Sequence, residues 1–209
     1  MTALQIDSRP AFELTGGSVC LDFINTLSRR QTTRPVEHLF RYSDMLRWGR
    51  LAGVLSSGDR ARLTRDATEH PVRASRAFVR ALAFREVLYE IFVAVASRRV
   101  PSTDDLSALS GVLRGAFRAS VIRPTPSGFE YLMDRQRAGL DSVLWAVARS
   151  ALDLLVSPSA RPRVRECAAP SCSWLFLDTT RNRSRRWCAM KVCGNRNKVR
   201  RYRERTGNS

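Results

Sequence analysis

Four of the five cysteines fall in two pairs near the C-terminus, Cys167-x4-Cys172 and Cys188-x4-Cys193, with fifteen residues between the pairs. Thiolates are soft donors, and a zinc ion takes four ligands in a tetrahedron at about 2.3 Å. Two short knuckles separated by a chain of this length can fold back and close such a site. Four thiolates leave no open position for water, so the chemistry implied is one structural Zn²⁺ and not a catalytic metal. The same stretch is the most basic in the chain. From Arg161 to Ser209 there are fourteen Lys+Arg against three acids, about +11 of the formal +17.

The remaining residues bound the setting. A chain of 209 residues with 44% hydrophobic and 26% charged content reads as a folded protein: one medium domain and a small appendage. No run of apolar residues is long enough for a membrane span, and the start lacks the pattern of a signal peptide. The expectation is a reducing cytoplasm, where clustered cysteines are metal ligands and not disulfides. A pI near 11.3 calls for a polyanionic partner, of which nucleic acid is the commonest. The first 160 residues carry only about +6, so the positive footprint sits at one end.

The elements that must position the cysteines are mostly helices. Ser18 is read as the cap of a short helix carrying Val19, Cys20, Phe23, Ile24 and Leu27 inward, with Asp22 and Asn25 between them. These two polar residues are expected to pin a loop or helix end, with a ligand site as the alternative. Cys20 reads as a small buried hydrophobe, and His38 and His70 as surface residues. A second helix is expected from a cap at Ser43 to a stop at Gly58, and a third from Asp59 to Glu69, ended by Pro71. The strongest core pattern runs from Ala74 to Ser97 through Phe78, Val79, Leu82, Ala83, Val87, Leu88, Ile91, Phe92 and Val95. Ser102 with Asp104 and Asp105 opens another helix, Val121-Ile122 and Phe129–Leu132 form a β-hairpin, and a last helix spans about Ala138 to Leu155.

The fold class expected is therefore mainly α with a small β-hairpin. A helical domain (1–155), a Pro/Ser/Arg-rich linker (156–163) and a C-terminal four-cysteine zinc finger (164–209) divide the chain. Within the finger, Ser173–Asp178 alternates as a strand, placing Trp174 and Phe176 on one face and Leu175 and Leu177 on the other. Arg181, Arg183, Arg185 and Arg186 form a solvated basic loop, and Gly194 and Asn195 supply a turn that tolerates positive φ. A helix follows from about Asn195 to Arg205. Val199 and Tyr202 are expected to pack on the metal core, leaving Arg196, Arg200 and Arg203 on one flank and Lys198, Arg201 and Arg205 on the other. The order knuckle, strand, loop, knuckle, helix leans to a treble clef over a zinc ribbon.

This segment resembles the CGNR zinc-finger family, whose name matches Cys193-Gly194-Asn195-Arg196, with TRNRSRRWC and NKVRRYR as further matches. The N-terminal stretch, Gly16-Gly17 followed by LDFINTL, is similar to the ABATE-type domain that usually precedes that finger. The resemblance implies a bacterial transcriptional regulator linked to stress. It also implies that Cys167, Cys172, Cys188 and Cys193 ligate zinc and that Arg196 and the following basic helix contact DNA.

DNA is accordingly the first partner expected, with the helical domain sensing an unknown small-molecule effector or forming a homodimer. RNA is the alternative, its bases stacking on Trp174, Trp187 and Tyr202. A third reading places an enzyme in the helical domain, and a deep polar pocket beside Asp22 and Asn25 would favour it. No phosphate-binding glycine loop, HExxH or GxSxG motif supports catalysis. Loss of zinc is expected to unfold the finger and leave the helical domain folded.

Overall fold

The computed structural model describes residues 12–206. Eight α-helices and three two-stranded antiparallel pairs lie among them. The long α4 (Pro71–Ala96) is packed by α2 (Tyr42–Leu51), α3 (Ser57–Glu69), α5 (Thr103–Arg118) and α7 (Ser142–Val156), with the short α1 (Val19–Ile24) set between α4 and α7. The hairpin β3 (Ser120–Thr125) and β4 (Gly128–Met133) follows α5, and the one-turn α6 (Arg135–Ala138) leads into α7. The fold is mainly α, as the apolar periodicity implies.

Several helix signals act differently from their local reading. Ser18 makes no cap bond; its hydroxyl pairs with Ser150 Oγ at 3.0 Å across to α7. Helix α2 starts one residue before Ser43, and the buried Asp44 of its first turn accepts the Phe40 N–H at 3.1 Å. It ends at Leu51 and turns at Gly53, whose φ of +75° suits glycine. Gly58 lies inside α3, because Ser56 and Asp59 form a reciprocal capping box ahead of it. Pro71 both follows α3 and opens α4, the position where its missing N–H costs nothing.

The buried face of α4 keeps most of the expected stripe, with Leu88, Ile91 and Phe92 buried and Phe78, Leu82, Val87 and Val95 packed against the core, and adds a row of alanines. Val79 is 61% exposed and Ala83 is also exposed, whereas Ala74, Ala77, Ala81, Phe84, Leu88 and Ile91 are buried. Small alanines let neighbouring helices approach. Arg85 is buried on the same helix. It forms a two-pronged bond to Glu37 (2.8 and 2.6 Å) and reaches Thr26 Oγ1 at 3.0 Å. Glu37 in turn accepts the N–H groups of His38 and Leu39. This fixes the loop carrying β1 (Leu27–Ser28) and β2 (Val36–Glu37) to α4.

The finger rests on that loop and on α1. Residues 156–163 end in a one-turn helix at Arg161–Arg163, which touches α4 and α7. Then β5 (Val164–Glu166) pairs with β6 (Leu175–Leu177). The other edge of β6 is closed by the helical part of the chain. Asn25 Nδ2 donates to the Leu175 carbonyl at 2.9 Å, and Asn25 Oδ1 accepts the Leu175 N–H at 3.0 Å. The Leu177 N–H reaches the Gly16 carbonyl at 2.8 Å. Val164 and Leu175 belong to the same apolar core as α1, α4 and α7.

Removing the Asn25 amide would leave both buried polar groups of Leu175 without partners. Asn25→Ala is expected to lower unfolding free energy by about 2–4 kcal/mol, read by urea denaturation of the zinc-loaded chain. An unchanged midpoint would mean that the amide does not hold the strand.

Candidate metal centre and basic face

The two knuckles come together because each is a tight backbone turn anchored by the strands. Cys167 N–H donates to the Trp174 carbonyl (2.8 Å) at the end of the β5–β6 hairpin, and Cys172 N–H donates to Ala169 (2.9 Å). Ser173, at φ +56°, redirects the chain into β6. The second knuckle is a wide turn in which the N–H groups of Cys193 and Gly194 both reach the Ala189 carbonyl (2.9 and 3.2 Å). Gly194 is needed there for space and not for positive φ: a Cβ would overlap Met190 Sδ and stand 3.2 Å from Trp187. Asn195 is likewise helical, at φ −65°.

All four sulfurs are buried and lie within 4.8 Å of one another. Cys172 and Cys188 Sγ are 3.5 Å apart, and Cys188 and Cys193 Sγ 3.6 Å. Four thiolates at 2.3 Å from a tetrahedral ion would stand about 3.8 Å apart. Left to themselves, the four cannot all ionise. Hydrogen bonds from Cys172 and Cys188 pull the Cys167 thiol down. The same contacts push Cys172 and Cys188 up, and burial pushes Cys193 up. A divalent cation removes that conflict, because a coordinated thiol is deprotonated outright. The donor set therefore fits one Zn²⁺, held by Cys167, Cys172, Cys188 and Cys193.

Strand β6 sorts its side chains as its alternation implies. Phe176 and Trp174 pack around the sulfurs with Trp187 and Ala189, while Leu175 and Leu177 pack on the helical core. The second knuckle leads directly into α8 (Asn195–Thr206), so the finger is closer to a treble clef than to a ribbon. Helix α8 departs from its local reading. Val199 and Tyr202 are 50% and 63% exposed and do not join the metal core; Asn197 is the buried residue of the first turn. The helix is anchored at its start and projects beyond it.

The arginines divide into two groups. Arg185 is turned inward, with its N–H groups directed at the carbonyls of Trp187, Leu177, Thr15 and Cys188 and its plane 4.4 Å above Phe176. It clamps the loop to the finger, so its donors are engaged within the protein. Asp178, buried nearby, collects the Thr180 hydroxyl and the N–H groups of Thr180 and Arg185. Arg181, Arg183 and Arg186 are exposed on the outside of this loop, and Arg196, Lys198 and Arg203 are exposed on α8. The side chains of Arg200, Arg201 and Arg205 lie outside the described residues.

Sequence reasoning missed the socket that receives the finger. Trp174 Nε1 donates to Ser28 Oγ at 3.1 Å, and Ser28 Oγ pairs with His38 Nε2 at 2.8 Å. Arg30 N–H donates to Ser173 Oγ, and its guanidinium lies 4.4 Å above the Tyr89 ring. His38 is thus half-buried in the interface, with its basicity lowered by burial, while His70 is exposed and paired with Asp66 at 3.0 Å. Cys20 is buried, and burial pushes its thiol up to about 11. No local pattern marks Ser28 or His38 as finger contacts, since the finger lies more than 120 residues further along the chain.

Asp22 accepts the Gly16 N–H at 2.7 Å and so fixes the turn whose carbonyl receives Leu177. Burial raises its carboxyl to about 6, against the lowering effect of that bond. The folded chain holds the proton more tightly than the unfolded one. The stabilisation is complete below the unfolded value near 4 and is lost as pH rises through about 6. Asp22→Asn keeps the bond to Gly16 without the buried charge. It is expected to be more stable than the parent by about 2 kcal/mol at pH 7.5, with the gap closing between pH 6 and 4 in paired denaturation curves.

The shared core also changes the expectation for metal loss. Val164 and Leu175 lie between the finger and the helices, so Cys188→Ser is expected to do two things. Bound zinc should fall well below one per chain by elemental analysis, and the melting midpoint of the helical signal should drop as well. A helical signal that melts unchanged would show that the finger unfolds alone.

Two family models match the chain. The model of the ABATE family, described as "Putative stress-induced transcription regulator", matches residues 17–158. That of the CGNR zinc finger matches residues 163–206. No curated protein matches the chain. Among the described residues, no helix is long and apolar enough to cross a membrane. With two thirds of its length matched by the first model and its metal centre within the second, the chain belongs to the ABATE family and is a regulatory, zinc-binding protein with a C-terminal CGNR finger.

Proposed function

We propose that the finger binds duplex DNA and that the helical domain regulates this contact. The observation that carries the reading is the exposed basic side chains of the finger's loop and of α8, a helix whose buried member among the described side chains is Asn197 in its first turn. Arg196, Lys198 and Arg203 on α8 and Arg181, Arg183 and Arg186 on the loop are exposed. A helix of 12 residues is about 18 Å long, enough to lie in a major groove about 12 Å wide. Exposed Arg and Lys supply contacts to phosphate, which position a protein on DNA and do not themselves read sequence.

RNA stacking is less well supported. Trp174 is a strut bonded to Ser28 and Trp187 packs in the metal core, which leaves Tyr202 as the exposed ring of the three.

The test is fluorescence anisotropy of the zinc-loaded chain with labelled duplex DNA. If about 6–10 phosphates are contacted, affinity should fall roughly 10³–10⁵-fold between 50 and 200 mM salt. Arg196→Ala with Arg203→Ala should reduce the log–log salt slope by about 2, whereas Val79→Ala on α4 should leave it unchanged. Absence of binding at 50 mM salt would refute the reading, and preference for structured RNA over duplex would replace the partner.

A further inference from the structure

A cavity of about 250 Å³ lies between the helical domain and the finger. Its walls are mostly apolar and come from both sides: Phe12, Val36 and Trp48 from the helical part, Trp174, Ala189 and Val192 from the finger. Drug-sized ligands occupy roughly 300–1,000 Å³, so this space suits a smaller molecule built on one ring system. The cavity reaches the metal centre at Cys172, Cys188 and Cys193, yet it is far larger than a single ion.

The lining also carries polar groups, Glu13, Asp22, Ser28, Arg29, His38 and Arg196 among them. The indole of Trp48 is fully buried, and its Nε1–H has neither accessible surface nor a hydrogen-bond partner among the described residues, so it backs the wall and offers no donor to the space. One oxygen of the buried Asp22 takes the Gly16 N–H, and the other has no partner among the described residues. That second oxygen is an acceptor for a ligand N–H. Arg29, from the helical part, and Arg196, from the first turn of α8, are exposed and also line the cavity. Together they offer cationic donors to an anionic group.

The walls are built in advance of any ligand. Trp174 is braced by Ser28 and His38, and Phe23 packs against Trp48 in a tilted contact with ring centroids 5.0 Å apart. Preorganised aromatic walls favour a flat ring and reduce the ordering cost of binding. Asn25, beside the cavity, has both ends of its amide engaged with Leu175. Ser28 and His38, paired at 2.8 Å, also line the cavity, and the Ser28 oxygen already accepts the Trp174 Nε1–H, so this pair braces the finger wall.

We propose that this cavity binds one small planar aromatic molecule bearing both a hydrogen-bond donor and a carboxylate, an aminoaryl acid in chemical class. The donor meets Asp22, the carboxylate meets Arg29 and Arg196, and the ring lies among the aromatic walls. Because the lining is shared, the bound molecule holds the finger and the first turn of α8 against the helical domain. Its role as an effector rests on the DNA-binding reading above; its binding does not.

The test is isothermal titration of the zinc-loaded full chain with 2-aminobenzoate. Benzoate lacks the donor, aniline lacks the carboxylate, and cyclohexanecarboxylate lacks the planar ring. One 2-aminobenzoate should bind per chain, at least tenfold more tightly than any of the other three. At a hundred times Kd it should raise the melting midpoint by about 5–10 °C. Val36→Trp fills the space from an exposed position and should abolish binding. Arg29→Asn, whose side chain tolerates the left-handed backbone there (φ +56°), should weaken 2-aminobenzoate at least fivefold and leave aniline unchanged.

Lack of binding by all four probes, or equal affinity in the parent, Val36→Trp and Arg29→Asn, would overturn the proposal. The titration contains no nucleic acid. A chain that binds 2-aminobenzoate but not DNA keeps the site and loses its regulatory role; a chain that binds DNA but none of the probes loses the site alone.

Discussion

The placement of the finger depends on one buried amide. Strand β6 has a partner on one edge only, and its other edge faces the protein interior, where unpaired backbone groups are costly. Asn25 completes that edge as a third strand would, donating to and accepting from Leu175. Around it the turn before α1, through Gly16, and the loop between α1 and α2, through Ser28, Arg30 and His38, form a socket. The socket is stiffened in turn by Arg85, whose buried pair with Glu37 fixes β2 to the central helix. A polar network of this kind specifies position more than it adds stability, because each member has been removed from water.

What could be read from the sequence was what is local. The cysteine spacing requires only that two knuckles meet, and they do. The 3.6-residue rhythm located the long helices, and alternation in residues 173–178 sorted Trp174 and Phe176 from Leu175 and Leu177. The misreadings share a cause: a neighbour far along the chain decides. Val79 is as apolar as Leu88, but it stands with Ala83 on the exposed face of α4. Val199 and Tyr202 form a stripe with no surface to meet. Strand β5 is three residues long and too short to show a pattern. The roles of Asp22 and Asn25 were legible as buried polar groups in need of partners, while the identity of those partners was not.

Charge was legible in amount and not in use. Arginine can serve either solvent or interior, since its planar fork fits carbonyl groups as well as phosphates. Four arginines within six residues of the loop look alike in sequence, yet Arg185 alone among them is folded under the loop onto Phe176 and four carbonyls. Its inward turn is what lets Arg181, Arg183 and Arg186 be displayed on a defined surface.

Val164 and Leu175 give the two matched segments a common inheritance. Each is part of the finger by chain position and part of the helical core by packing. A gene fusion that joined this finger to an unrelated domain would expose them, and a helical domain detached from it would lose the filling of its own interior. The architecture can therefore diversify by substitution on its surfaces more readily than by exchange of its modules, and change in one segment constrains the other to change with it.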